Sequence, residues 1–152
     1  MKSRLFLLTF SFLLLTVLSS DARSQGWWKS RGSGGWGAKS NYNRMYDSKT
    51  VETINGTILE IDSISPLKGM SNGIHLLLKT DIEIISVHLG PAWYIDNQDI
   101  DLQKSDRVEM KGSRVSFDGK PAIIAAELKK GDDVLKLRDE TGFPAWSGWR
   151  RR

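Results

Sequence analysis

Ile74-His75-Leu76-Leu77-Leu78-Lys79-Thr80-Asp81-Ile82-Glu83-Ile84-Ile85-Ser86-Val87-His88-Leu89 carries the pattern of a β-hairpin. Two aliphatic, β-branched runs flank a short polar segment, so Ile74 to Lys79 and Ile84 to Leu89 read as two strands joined through Thr80, Asp81, Ile82 and Glu83. A two-residue or a four-residue loop centred on Asp81 and Ile82 gives one register: Leu78 opposite Ile85, Leu76 opposite Val87 and Ile74 opposite Leu89. All three pairs are apolar, and a slip by one residue would set this face against a mixed one.

The same register sets His75 opposite His88 on the second face, with Leu77 opposite Ser86 and Lys79 opposite Ile84. The sequence holds 2 histidines, and the register brings both together. Directly opposed Cβ atoms lie about 4.5–5.5 Å apart, within reach of one metal ion. Imidazole suits zinc, copper, nickel and iron, but a durable site wants further ligands. Met70 and Asp99 are conceivable, and nothing in the spacing selects them. Two readings stand: a metal or haem site on His75 and His88, or two partly exposed histidines on a solvated or ligand-facing strand pair. The second is the stronger, and no cofactor is expected.

Working outward, Thr50 to Ile61 is rich in Val, Ile and Thr with Gly56 inside, which predicts a long first strand bent or bulged at the glycine. Pro66, Gly69, Asn72 and Gly73 mark a loop before the second strand. After the third, Gly90 and Pro91 are expected to break the strand, and Ala92 to Gln103 to hold a short helix or irregular crossing. Arg107 to Phe117 predicts strand four, with Gly112 allowing a bend. Asp118-Gly119 predicts a turn, Ala122 to Leu128 strand five, and Val134 to Leu137 a last short strand. Three strands, a crossing and two strands is the order of a five-stranded OB-like barrel, an all-β fold; a small sandwich is the alternative. The barrel domain is expected over residues 50–138.

The beginning of the chain has a different character. Lys2 and Arg4 precede an apolar run from Leu5 to Leu18, followed by Ser19, Ser20 and Ala22. That layout is a secretory signal peptide over residues 1–22, with cleavage after Ala22 or after Ser24. As a helix the run rises only about 21 Å, and a hydrocarbon core requires roughly 20 residues, so no transmembrane anchor is expected after cleavage. Removing it takes away Lys2, Arg4 and Asp21, and the net charge of +4 falls to +3. So weak a bias lacks the strong basic field of nucleic-acid binders. Cysteine is absent, so no disulfide framework forms and an ordinary core must supply stability.

Residues 25–49 combine glycines with Trp27, Trp28 and Trp36 and show no periodic apolar pattern, which predicts a flexible leader. Its tryptophans either fold back onto the barrel or serve as a sticky arm. The tail over 139–152, with Trp146, Trp149 and Arg150, is expected to pack on the barrel, because exposed tryptophans are a liability. The alternative is a binding surface in which those residues meet an acidic or aromatic partner. Trp93 and Tyr94 are expected to cap one end of the barrel.

His88-Leu89-Gly90-Pro91-Ala92-Trp93-Tyr94, Gly112-Ser113-Arg114-Val115 and the run Leu137 to Arg150 resemble a family of small exported bacterial proteins sometimes labelled DNA-binding on fold grounds. More distantly, the chain is similar to the periplasmic bacterial OB-fold proteins and to the magnetosome-associated MamS and MamX proteins. These resemblances imply an OB-like domain outside the cytoplasm, near redox or metal-handling systems, and no known ligand.

No nucleophile elbow or glycine-rich phosphate loop appears, and Asp132-Asp133 and Asp139-Glu140 sit at turn signals. An enzyme is therefore not expected. The sequence favours a periplasmic binding or accessory module with a protein partner in the envelope. Its ligand-binding candidates are His75, His88, Trp93, Tyr94, Trp146, Trp149 and Arg150. Nucleic-acid binding through the barrel and the basic tail is the alternative, as is metal or haem binding.

Overall fold

The computed structural model describes residues 32–149. The expected signal peptide, Trp27 and Trp28 of the expected leader, and Arg150 with the rest of the basic end lie outside the described residues.

The strands are β1 (Val51–Ile64), β2 (Gly73–Lys79), β3 (Ile84–Pro91), β4 (Arg107–Phe117), β5 (Lys120–Lys130) and β6 (Asp133–Lys136), with the short helix α1 (Ala92–Ile95) after β3. One long strand serves two neighbours: β1 pairs with β4 from Val51 to Thr57 and with β2 from Thr57 to Ile64. β5 runs antiparallel to β4 and, over Ala122 to Ile124, parallel to β3, which closes the barrel. β6 extends the sheet from the far end of β5. The chain thus forms the expected all-β, five-stranded OB-like barrel with its short helix after strand three, and closure removes the sandwich alternative.

Leu78 pairs with Ile85, Leu76 with Val87, and His75 with His88, as the apolar pattern predicts. Ile74, expected opposite Leu89, instead faces Gly90, because the register shifts and leaves Leu89 as an extra residue on β3. Gly90 and Pro91 do not break that strand: Pro91 pairs with Gly73 at its last position, where a missing N–H is tolerated. On β1 the register shift falls at Leu59 and not at Gly56. Gly56 has a different task, since a Cβ there would stand 2.6 Å from the Lys79 carbonyl oxygen. Gly112 lies at a register shift between β4 and β5, where strong coiling is needed.

Alternate residues point inward. Ile58, Leu76, Leu78, Ile85, Val87, Met110, Ile123 and Leu128 fill the barrel and are at most 1% exposed. Each such side chain contributes about 1.5–3 kcal/mol relative to exposure.

A second core lies outside that wall. His75 and His88 face away from Leu76 and Val87, yet they too are buried. The flexible leader expected over 25–49 is corrected for its described part: Trp36 and Tyr42 are each 1% exposed, and two 3-10 turns, Asn43–Met45 and Ser48–Thr50, lead into β1. Aromatic burial offsets the entropy of the glycines. Gly34 and Gly35, at φ of 60° and 88°, let this segment press against Ser71 and Met70.

Candidate functional site

The β2–β3 register brings His75 and His88 together as stacked rings, with centroids 3.9 Å apart and planes 21° apart. Tyr42, from the segment before β1, places its hydroxyl 2.8 Å from His88 Nδ1, a hydrogen bond in which the phenol donates when the ring carries its proton on Nε2. Phe117 of β4 meets His88 edge-on, with centroids 4.7 Å apart. Burial lowers the His75 pKa to about 4, with the Asp62 carboxylate pulling it up. Burial lowers His88 to about 3, and the neighbouring His75 and Arg138 lower it further. Both rings are therefore neutral near pH 7, and the tautomer that accepts from Tyr42 carries its proton on Nε2.

The pair thus differs from the partly exposed reading: His75 is 4% and His88 1% exposed. No group of three or more His, Cys, Asp or Glu able to hold a metal occurs among the described residues, so Asp99 does not complete a site. Met70 packs instead against Gly35. Neither nitrogen of His75 finds a hydrogen-bond partner among the described residues.

Beside Tyr42 the two ends of the domain meet. Trp36 donates from Nε1 to the Ser71 carbonyl at 3.0 Å, lying across Gly73 at the start of β2. Trp146 of the tail donates from Nε1 to the Trp36 carbonyl at 2.7 Å and lies across Gly90 of β3. Arg138 is buried where β3 and β5 part, with Nη1 donating to the carbonyls of Leu89 and Ala125 and the guanidinium 4.8 Å above the Trp146 ring. Burial lowers its pKa to about 10, so it stays charged at neutral pH.

Of the sequence candidates, Trp93 and Tyr94 sit on α1 and Trp146 and Trp149 in the tail, forming one aromatic group apart from the two histidines. Trp93 stacks on Trp149, with centroids 6.0 Å apart, and both are half-buried, whereas Tyr94 and Trp146 are buried. Sequence reasoning missed Tyr42, Phe117 and Arg138. Tyr42 has no local signal, because its partner is 46 residues away. For Arg138 the only hint was a basic residue directly after the strand expected over Val134 to Leu137.

A closed five-stranded barrel, filled inside and overlaid outside by aromatic residues from both chain ends, defines a small OB-like module. The model of the MamS/MamX magnetosome protein family matches residues 50–135, more than half of the chain, and the protein belongs to that family. No curated protein and no solved structure matches it.

Proposed function

We propose that the mature chain is an exported, periplasmic accessory module that binds a protein partner in an envelope redox or metal-handling system and is not itself an enzyme. One observation carries this reading over nucleic-acid binding. OB folds take oligonucleotides on the strand 2–3 face and its adjoining loops, and here Tyr42 covers that face while Trp36 occupies the loop before β2. Among the described residues, the half-buried Trp93–Trp149 stack and the exposed Phe143 leave aromatic surface open. Stacked tryptophans backed by a buried tyrosine have the character of a protein hot spot, where amphipathic rings anchor a partner at low entropic cost. Export rests on the basic, apolar and small-residue layout of residues 1–22.

The test compares the wild-type chain with Trp93→Ala and Trp149→Ala, each expressed in the native host and purified from the envelope fraction. The reading predicts a co-purifying protein that either substitution removes while the melting transition is kept. Bound nucleic acid with steeply salt-dependent affinity, indifferent to both substitutions, contradicts it.

A further inference from the structure

The aromatic rings outside the barrel form a row with two different ends. From the half-buried Trp93–Trp149 stack, Tyr94 lies 5.3 Å from Trp149 and Trp146 5.6 Å from Tyr94. Trp36 lies 6.2 Å from Trp146, and Tyr42 4.9 Å from Trp36, all between ring centroids. Every ring past the first pair is buried: Tyr94 is 7%, Trp146 3%, Trp36 1% and Tyr42 1% exposed. The inner end is a phenol held 2.8 Å from an imidazole nitrogen. Aliphatic side chains would fill the same space. What the row adds is a series of easily oxidised rings in near contact, in a chain without cysteine.

We propose that this row conducts single electrons between the protein surface and Tyr42, which acts as a proton-coupled redox site with His88 as its proton acceptor. A one-electron oxidant at the surface, of the class of an oxidised metal centre or a photo-excited metal complex, takes one electron from Trp149 and is itself reduced by one. Tyr94 keeps its proton and serves as the bridge between Trp149 and Trp146, and Trp146, Trp36 and Tyr42 in turn each pass one electron outward. When Tyr42 has lost its electron, its O–H bond breaks and the proton moves to His88 Nδ1. The products are a neutral phenoxyl radical and an imidazolium protonated at both nitrogens, so charge and atoms balance.

The guanidinium of Arg138 above Trp146 raises the energy of a cation on that indole, so Trp146 is a transient relay and not a resting place for the hole. An oxidised phenol is a strong acid and yields its proton even to a weak base. Because burial, His75 and Arg138 together weaken the hold of His88 on that proton, it returns when Tyr42 is reduced again. This activity goes beyond partner binding and does not depend on it.

The test uses the full chain, a ruthenium(II) tris-bipyridine photo-oxidant with persulfate, and freeze-quench electron paramagnetic resonance. The expected result is a neutral tyrosyl radical that Tyr42→Phe abolishes, leaving a tryptophan radical, and that Tyr46→Phe leaves unchanged. His88→Gln, confirmed folded by circular dichroism, should slow tyrosyl formation about a hundredfold, the contribution of a positioned base, and remove its solvent isotope effect. A tyrosyl signal undiminished by Tyr42→Phe, or a wild-type chain that yields tryptophan radicals alone, overturns the proposal.

Discussion

Tyr42 and His88, 46 residues apart, share a 2.8 Å hydrogen bond between the phenol oxygen and Nδ1. Burial pushes the Tyr42 hydroxyl above the usual phenol range, so the proton stays on oxygen, while the depressed His88 keeps its lone pair free. This bond ties the segment before β1 to the barrel wall. Tyr42→Phe keeps the ring but leaves a buried acceptor unpaired, and should cost about 1–2 kcal/mol. Urea unfolding at pH 7 reads it; an unchanged midpoint would mean that packing alone holds the segment.

The histidine stack makes stability depend on pH. Folded, His75 and His88 titrate at about 4 and about 3; unfolded, both titrate near 6.5. Between these values the unfolded chain binds more protons, so their contribution is complete above pH 6.5 and is lost as pH falls through the folded values. For His75 alone the loss is about 3 kcal/mol. His75→Leu also removes a ring without hydrogen-bond partners, so it should flatten the acid limb of a melting-temperature profile between pH 7 and pH 4. An equally steep limb in that variant would locate the acid sensitivity elsewhere.

Gly73 is required by its neighbour and not by its backbone angles. A Cβ at this position would collide with the Trp36 ring and approach the Gly90 carbonyl oxygen to 2.9 Å. Gly73→Ala should therefore displace Trp36, cost about 1–3 kcal/mol through overpacking, and shift tryptophan emission to the red. Unchanged emission and stability would contradict the seat assigned to Trp36.

Arg138 fills the gap where β3 and β5 diverge, hydrogen-bonded to carbonyls of both. Arg138→Met removes a buried charge but strands two buried acceptors, so a net loss of about 2 kcal/mol is expected. Thermal unfolding measures it. A variant as stable as the parent would show that water satisfies those carbonyls.

The barrel was legible because its signal is local. A period-2 apolar pattern around Thr80–Glu83 fixes the β2–β3 register, and with it the opposition of His75 and His88. What covers those histidines was not legible, since Tyr42 arrives from the segment before β1 and Phe117 from β4, and no periodicity announces either. Trp146 and Trp36 are 110 residues apart, yet an indole N–H donates to the other's carbonyl. The shift at Leu89 escaped for a related reason: the β2–β3 pairing is adjusted where Trp36 and Trp146 press on Gly73 and Gly90, long-range contacts that strand propensity does not encode.

The most direct test of the proposed role is native mass spectrometry of the protein purified from the envelope fraction under non-denaturing conditions. The expected result is an N-terminus near Arg23 or Gln25 and a bound protein partner. A chain that begins at Met1 in the cytoplasmic fraction and carries nucleic acid would contradict it.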